Sequence, residues 1–76
     1  MSLREDLLNG LRGYNIWKID VDRNIHVKGN PAIKITIFTT THNPHDFLFT
    51  KAHQMTTRHM MSVIRSYLEH RVEAAV

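Results

Sequence analysis

Apolar residues recur along this chain with two different periods. Near the start, Leu3, Leu7 and Leu11 repeat every four residues with Leu8 beside them, which is the stripe of one helical face. Ser2 followed three positions later by Glu5 has the form of a capping box, so a helix is expected from Leu3, with Gly10 and Gly13 as left-handed stops. From Tyr14 the period changes to two. Trp17, Ile19 and Val21 alternate with Lys18, Asp20 and Asp22, predicting a strand with one buried face. Asp22-Arg23-Asn24 reads as a turn. Ile25 and Val27 alternating with His26 and Lys28 then complete a hairpin, which Gly29-Asn30-Pro31 breaks.

The clearest strand covers residues 32–41, with Ile33, Ile35 and Ile37 facing one way and Lys34, Thr36, Phe38 and Thr40 the other. Residues 42–46 form a loop around the Asn43-Pro44 pair, and residues 47–50 are extended again with Phe47 and Phe49 on one side. The last third is helical. Met60, Met61, Ile64, Tyr67, Leu68 and Val72 gather on one side, opposite Ser62, Arg65, Ser66, Glu69 and Glu73. Thr56 or Thr57 is placed to cap this helix, or Thr50 to cap a longer version from Lys51.

These elements predict an α+β fold: an N-terminal helix, a three- or four-stranded antiparallel sheet and a C-terminal helix, with both helices packed on one sheet face. The covered face is expected to hold Trp17, Ile19, Val21, Ile25, Val27, Ile33, Ile35, Ile37, Phe47 and Phe49. The open face is then assigned Lys18, His26, Lys28, Lys34, Thr36, Phe38, Thr40, Leu48 and Thr50, with Tyr14 beside it.

The chain has 76 residues, room for one domain spanning 1–76 and one core. A core this small supplies little stability, which makes self-association a reasonable supplement. There are no cysteines, which excludes disulfides, thiolate metal sites and thiol nucleophiles. No apolar run approaches the ~20 residues that span a bilayer, and the start lacks the form of a secretory signal. A complete, cytoplasmic protein without membrane contact is the expectation. The formal charge is +3, with six histidines, and the basic residues are spread along the chain, so any basic patch has to be assembled by folding.

The open face combines lysines with an aromatic side chain, the kind of surface on which bases stack while cations hold phosphates; lysines and threonines are also the ordinary solvated residues of a sheet. At the second helix start, Lys51, His53, Arg58 and His59 add positive charge where the helix dipole is already positive. That arrangement is mildly unfavourable unless an anion sits there. His42, His45, Asp46 and His53 are residue types that ligate zinc, but their spacing matches no metal motif, and water-facing loop histidines are the simpler reading. Ser62, Ser66 and His70 share a helix face without an orienting acid, and the three glycines form no phosphate loop, so neither an enzyme nor a bound cofactor is expected. Met55, Met60 and Met61 could supply an adaptable contact surface, but Met60 and Met61, on the apolar side of the helix, read first as core filling, which leaves only Met55 as a candidate for exposure.

The order of helix, three antiparallel strands and helix resembles that of double-stranded RNA-binding domains. In that family a lysine cluster at the second helix start binds phosphate; here Lys51, His53 and Arg58 echo it, and the Gly-rich approach to the helix is absent. Two functions follow as expectations. The first is a non-enzymatic protein that contacts RNA or DNA backbone through Lys18, Lys28, Lys34, Lys51 and Arg58. The second is a protein-interaction or inhibitor module, including the case of a homodimer, that uses Tyr14, Phe38, Leu48 and the strand edges.

Overall fold

The computed structural model describes the backbone of residues 2–51 and 54–74 and the side chains as far as His70. His53 and the side chains of Val72 and Glu73 therefore lie outside the described residues. Five elements follow in order: α1 (Leu3–Gly10), β1 (Ile16–Val27), β2 (Asn30–Thr39), β3 (His45–Phe49) and α2 (Thr57–Ala74). The strands form one antiparallel sheet in the order β1-β2-β3. The fold is α+β, as the periodicity predicts, with three strands.

Each helix starts where its cap allows. Ser2 Oγ accepts from the Glu5 N–H at 3.2 Å, which satisfies one free donor of the first turn of α1. Thr56 Oγ1 does the same for the His59 N–H at 3.1 Å, so α2 begins at Thr57 and not at the earlier start from Lys51. Leu3, Leu7 and Leu11 from the α1 side, and Met60, Ile64 and Leu68 from α2, close over Ile19, Ile33, Ile35, Ile37, Phe47 and Phe49 in one buried cluster. Both helices thus cover the same sheet face, and Met60 fills core as expected.

Gly10 is the last residue of α1 and has no left-handed backbone, contrary to its expected role as a stop. It serves close helix packing instead: a Cβ there would overlap the Met61 thioether. The Arg65 Nη2 reaches across to donate to the Gly10 carbonyl at 2.9 Å, covering a carbonyl that α1 cannot satisfy itself. Gly13, at φ +99°, does take the left-handed conformation.

The turn expected at Asp22-Arg23-Asn24 is absent. β1 runs through it as one twelve-residue strand and absorbs the extra residue as a bulge between Asp22 and Ile25, where Asp22 Oδ1 accepts from the Asn24 N–H at 2.9 Å. The chain reverses later, at Lys28-Gly29, inside the Val27↔Asn30 pair. Both turn residues have positive φ, +53° and +81°, the backbone of a type I′ hairpin whose twist matches the strands. An extra residue in one strand inverts the alternation beyond it. Ile25 therefore pairs with Ala32, on the same face as Lys34, and Ile25 and Val27 leave the covered face to which simple alternation assigns them.

A second irregularity, between Ile16 and Lys18, has the larger consequence. Ile16 lies opposite Thr39, packed against the core, while Trp17 turns outward and is 62% exposed. The expected core position of Trp17 is overturned by this one extra residue.

Candidate functional site

The pairing register lays out the open face row by row. Lys18 stands opposite Phe38; Asp20 lines up with Thr36 and Asp46; Asp22 lines up with Lys34 and Leu48. Trp17 joins the first row, its ring 5.5 Å from that of Phe38 and tilted by 54°. Leu48 is 52% exposed. Tryptophan and leucine seldom remain this exposed on one sheet face unless the surface is used for contact.

Charge on this face is mixed. At the paired positions Lys18 and Lys34 are outnumbered by Asp20, Asp22 and Asp46, so these three rows sum to −1 while the whole chain carries +3. Lys18 is itself engaged, with its Nζ 3.7 Å from Asp20 Oδ2 and 5.1 Å from the centre of the Phe38 ring. The Thr36 hydroxyl donates to Asp46 Oδ1 at 2.6 Å. A phosphate backbone meets more carboxylates than cations here.

The other basic candidates sit elsewhere. Lys28 stands in the β1–β2 turn, Lys51 follows the end of β3, and Arg58 is exposed in the first turn of α2. Chain direction brings these three to one end of the sheet, because β1 leaves, β3 leaves and α2 begins there. No acidic residue occupies the first turn of α2. A depression of about 890 Å³ beside the first turn of α1 has a charged lining of Arg4, Arg23 and Lys34 against Glu5, Asp20 and Asp22, a balance with no excess for an anion.

Tyr14 is separated from Phe38 and Leu48. It packs against the core from the helix side and donates its hydroxyl to Glu69 at 2.6 Å. That hydrogen bond raises the Tyr14 pKa above its usual value, with partial desolvation and the Glu69 charge adding to the effect and Arg65 opposing it. A further aromatic group tucks β3 under α2: the His45 ring stacks on Tyr67 at 4.2 Å and 17°, and Phe47 meets both edge-on.

The remaining polar candidates are occupied locally. The His42 ring bonds to the Thr41 hydroxyl, His45 to the Tyr67 hydroxyl and Asp46 to Thr36; no three His, Asp or Glu converge among the described residues. His70 Nδ1 lies 2.6 Å from the Ser66 carbonyl, a contact in which the ring nitrogen donates. In that tautomer it is no base for the Ser66 hydroxyl. No helix among the described residues is long and apolar enough to cross a membrane.

Alternation alone misplaced Trp17. The adjacent apolar residues Ile16 and Trp17 allow either register, and only pairing with β2 selects Ile16 as the one turned inward. Two of the carboxylates were legible, since the alternation that directs Lys18 outward directs Asp20 and Asp22 outward with it; Asp46 was not, because β3 begins at His45, inside the expected 42–46 loop. No protein-family model, curated protein or solved structure matches the chain.

Proposed function

We propose that this chain is a non-enzymatic protein-interaction module whose contact surface is the open face of the sheet. The observation that carries this reading is the exposed Trp17, paired with Phe38 on a face that neither helix covers. Tryptophan is the side chain most enriched among residues that dominate binding energy, because it buries a large rigid surface at low entropic cost. Leu48 supplies a second apolar contact, and the lysines and aspartates between them set register and exclude wrong partners. A foreign partner fits better than a second copy. A two-fold packing centred on the face would stack Asp20 on Asp46 or on Asp22 of the mate, carboxylate against carboxylate. The cysteine-free composition supports a cytoplasmic setting.

Nucleic-acid binding is the second reading, supported by the common end of the sheet shared by Lys28, Lys51 and Arg58. It has no support from the open face, where aspartates outnumber Lys18 and Lys34.

The test is a peptide selection against the wild-type protein with Trp17→Ala and Leu48→Asp as counter-screens. Labelled RNA and DNA are titrated in parallel at two salt concentrations, with the mass in solution measured alongside. Peptides that lose about tenfold or more in affinity on each variant support the interaction face. Salt-steep nucleic-acid binding that disappears in a Lys28→Glu/Lys51→Glu protein replaces that reading with the second.

A further inference from the structure

The aromatic corner of the open face already holds a cation, Lys18, and its setting indicates the chemistry of the partner. Lys18 Nζ lies 5.1 Å above the Phe38 ring and 3.7 Å from Asp20 Oδ2, with the Trp17 ring against the other aromatic at 5.5 Å. An aromatic face and a carboxylate together attract a positive charge more strongly than either does alone. Further negative charge is close by register: Asp22 follows Asp20 on the same face, and Asp46 lies across Thr36 from it.

Lys18 holds this place loosely. Its side chain and that of Asp20 are each about half exposed, at 50% and 51%, and an ion pair so open to water is readily exchanged. The Trp17 ring, 62% exposed, offers a stacking plane that a lysine ammonium on a neighbouring residue does not use fully. A guanidinium, flat and weakly hydrated, can stack on an indole and still present its donors to a carboxylate.

The geometry points to the corner formed by Trp17, Phe38 and Asp20 as a receptor for an arginine side chain of a protein partner, with Lys18 as the resident cation that the arginine displaces. This assignment rests on the open face being the contact surface, and it adds the partner's chemistry: an apolar segment carrying arginine. The carboxylates of Asp20, Asp22 and Asp46 on these rows, set in a chain of net charge +3, match such a segment locally and disfavour acidic ones.

The experiment uses the fluorescence of Trp17, the single tryptophan of the chain. Three tryptophan-free peptides of identical length and apolar spacing are titrated into the full-length protein, differing only in whether their two central polar positions are arginine, glutamine or glutamate. The expected result is a saturable Trp17 shift that is tightest for the arginine peptide. Its affinity should rise about two- to fivefold in Lys18→Gln, which vacates the corner, and fall about two- to fivefold in Asp20→Asn. Both positions are exposed, and circular dichroism confirms that the variants are folded. Equal shifts with all three peptides overturn the arginine assignment and keep the contact face. A preference for glutamate overturns it in favour of an anionic partner. If no peptide shifts Trp17 while selected binders of the protein remain sensitive to Leu48→Asp, the aromatic corner is not the receptor. If those binders are insensitive as well, the contact face itself is refuted.

Discussion

The placement of Trp17 can be tested through stability, because its two alternative positions differ by a large free energy. A tryptophan in the core costs about 3–5 kcal/mol when cut back to alanine. Trp17 keeps 62% of its surface in solvent. Of the ~250 Å² that a tryptophan can bury, only about 95 Å² is then withdrawn from water, or roughly 2.4 kcal/mol at ~25 cal/mol per Å². Residual compactness of the unfolded chain and the area alanine itself covers lower that figure to about 1.5 kcal/mol, and loss of the tilted contact with Phe38 returns about 0.5 kcal/mol. Trp17→Ala should therefore cost about 2 kcal/mol. Ile35→Ala, at a fully buried position, should cost at least as much and up to about 5 kcal/mol although it removes fewer atoms. Urea unfolding followed by far-ultraviolet circular dichroism measures both without relying on the tryptophan signal. In the wild type, Trp17 emission should be that of a water-exposed indole, quenched readily by iodide. A Trp17→Ala penalty above about 3 kcal/mol, or an iodide-protected indole, would refute the outward rotation of Trp17 and with it the proposed contact face.

Three further outcomes follow from local geometry. Gly29→Ala should destabilise the protein by at least about 1 kcal/mol, because a Cβ is disfavoured at φ +81°, whereas Lys28→Asn should be neutral or stabilising by a few tenths of a kcal/mol; chemical denaturation reads both. Thr56→Ala removes the oxygen that accepts from the His59 N–H and should cost about 1 kcal/mol, while a Thr56→Ser protein retains most of it. Tyr14 holds its proton more firmly in the folded chain than in the unfolded one. Its contribution is thus complete below the ordinary tyrosine pKa of about 10 and is lost as pH rises above it through the raised folded value. Above about pH 10 the urea midpoint should fall more steeply for wild type than for Tyr14→Phe; equal slopes would show that the Glu69 hydrogen bond does not persist in solution.

Much of the architecture was legible because helix and strand impose different periods on apolar residues. The leucines at 3, 7 and 11, the isoleucines at 33, 35 and 37, and the Met60 to Leu68 stripe each specify one buried face, and Ser2 marks the start of α1 from a neighbour three residues away. The hairpin was less so. Asp22-Arg23-Asn24 carries turn-forming residues, and the same side-chain chemistry serves a bulge equally well: Asp22 accepts from the Asn24 N–H in either case. The cap of α2 was narrowed to a few threonines, and packing of Met60 and Ile64 on the sheet selected Thr56.

What the sequence determined by itself is therefore the class and order of elements, the core positions of both helices, β2, β3 and the middle of β1, and the outward direction of Lys18, Asp20 and Asp22. What only the tertiary structure decided is the phase of β1 at its two ends. A strand alternates with a period of two, so a single extra residue exchanges its faces, and whether one is accommodated depends on the partner strand. Pairing with β2 inserts one residue before Lys18 and another before Ile25. The first turns Trp17 from the core to solvent, and the second carries Ile25 and Val27 onto the open face. Those shifts replace an expected basic face with one that is aromatic, apolar and slightly acidic, and the proposed function changes with them.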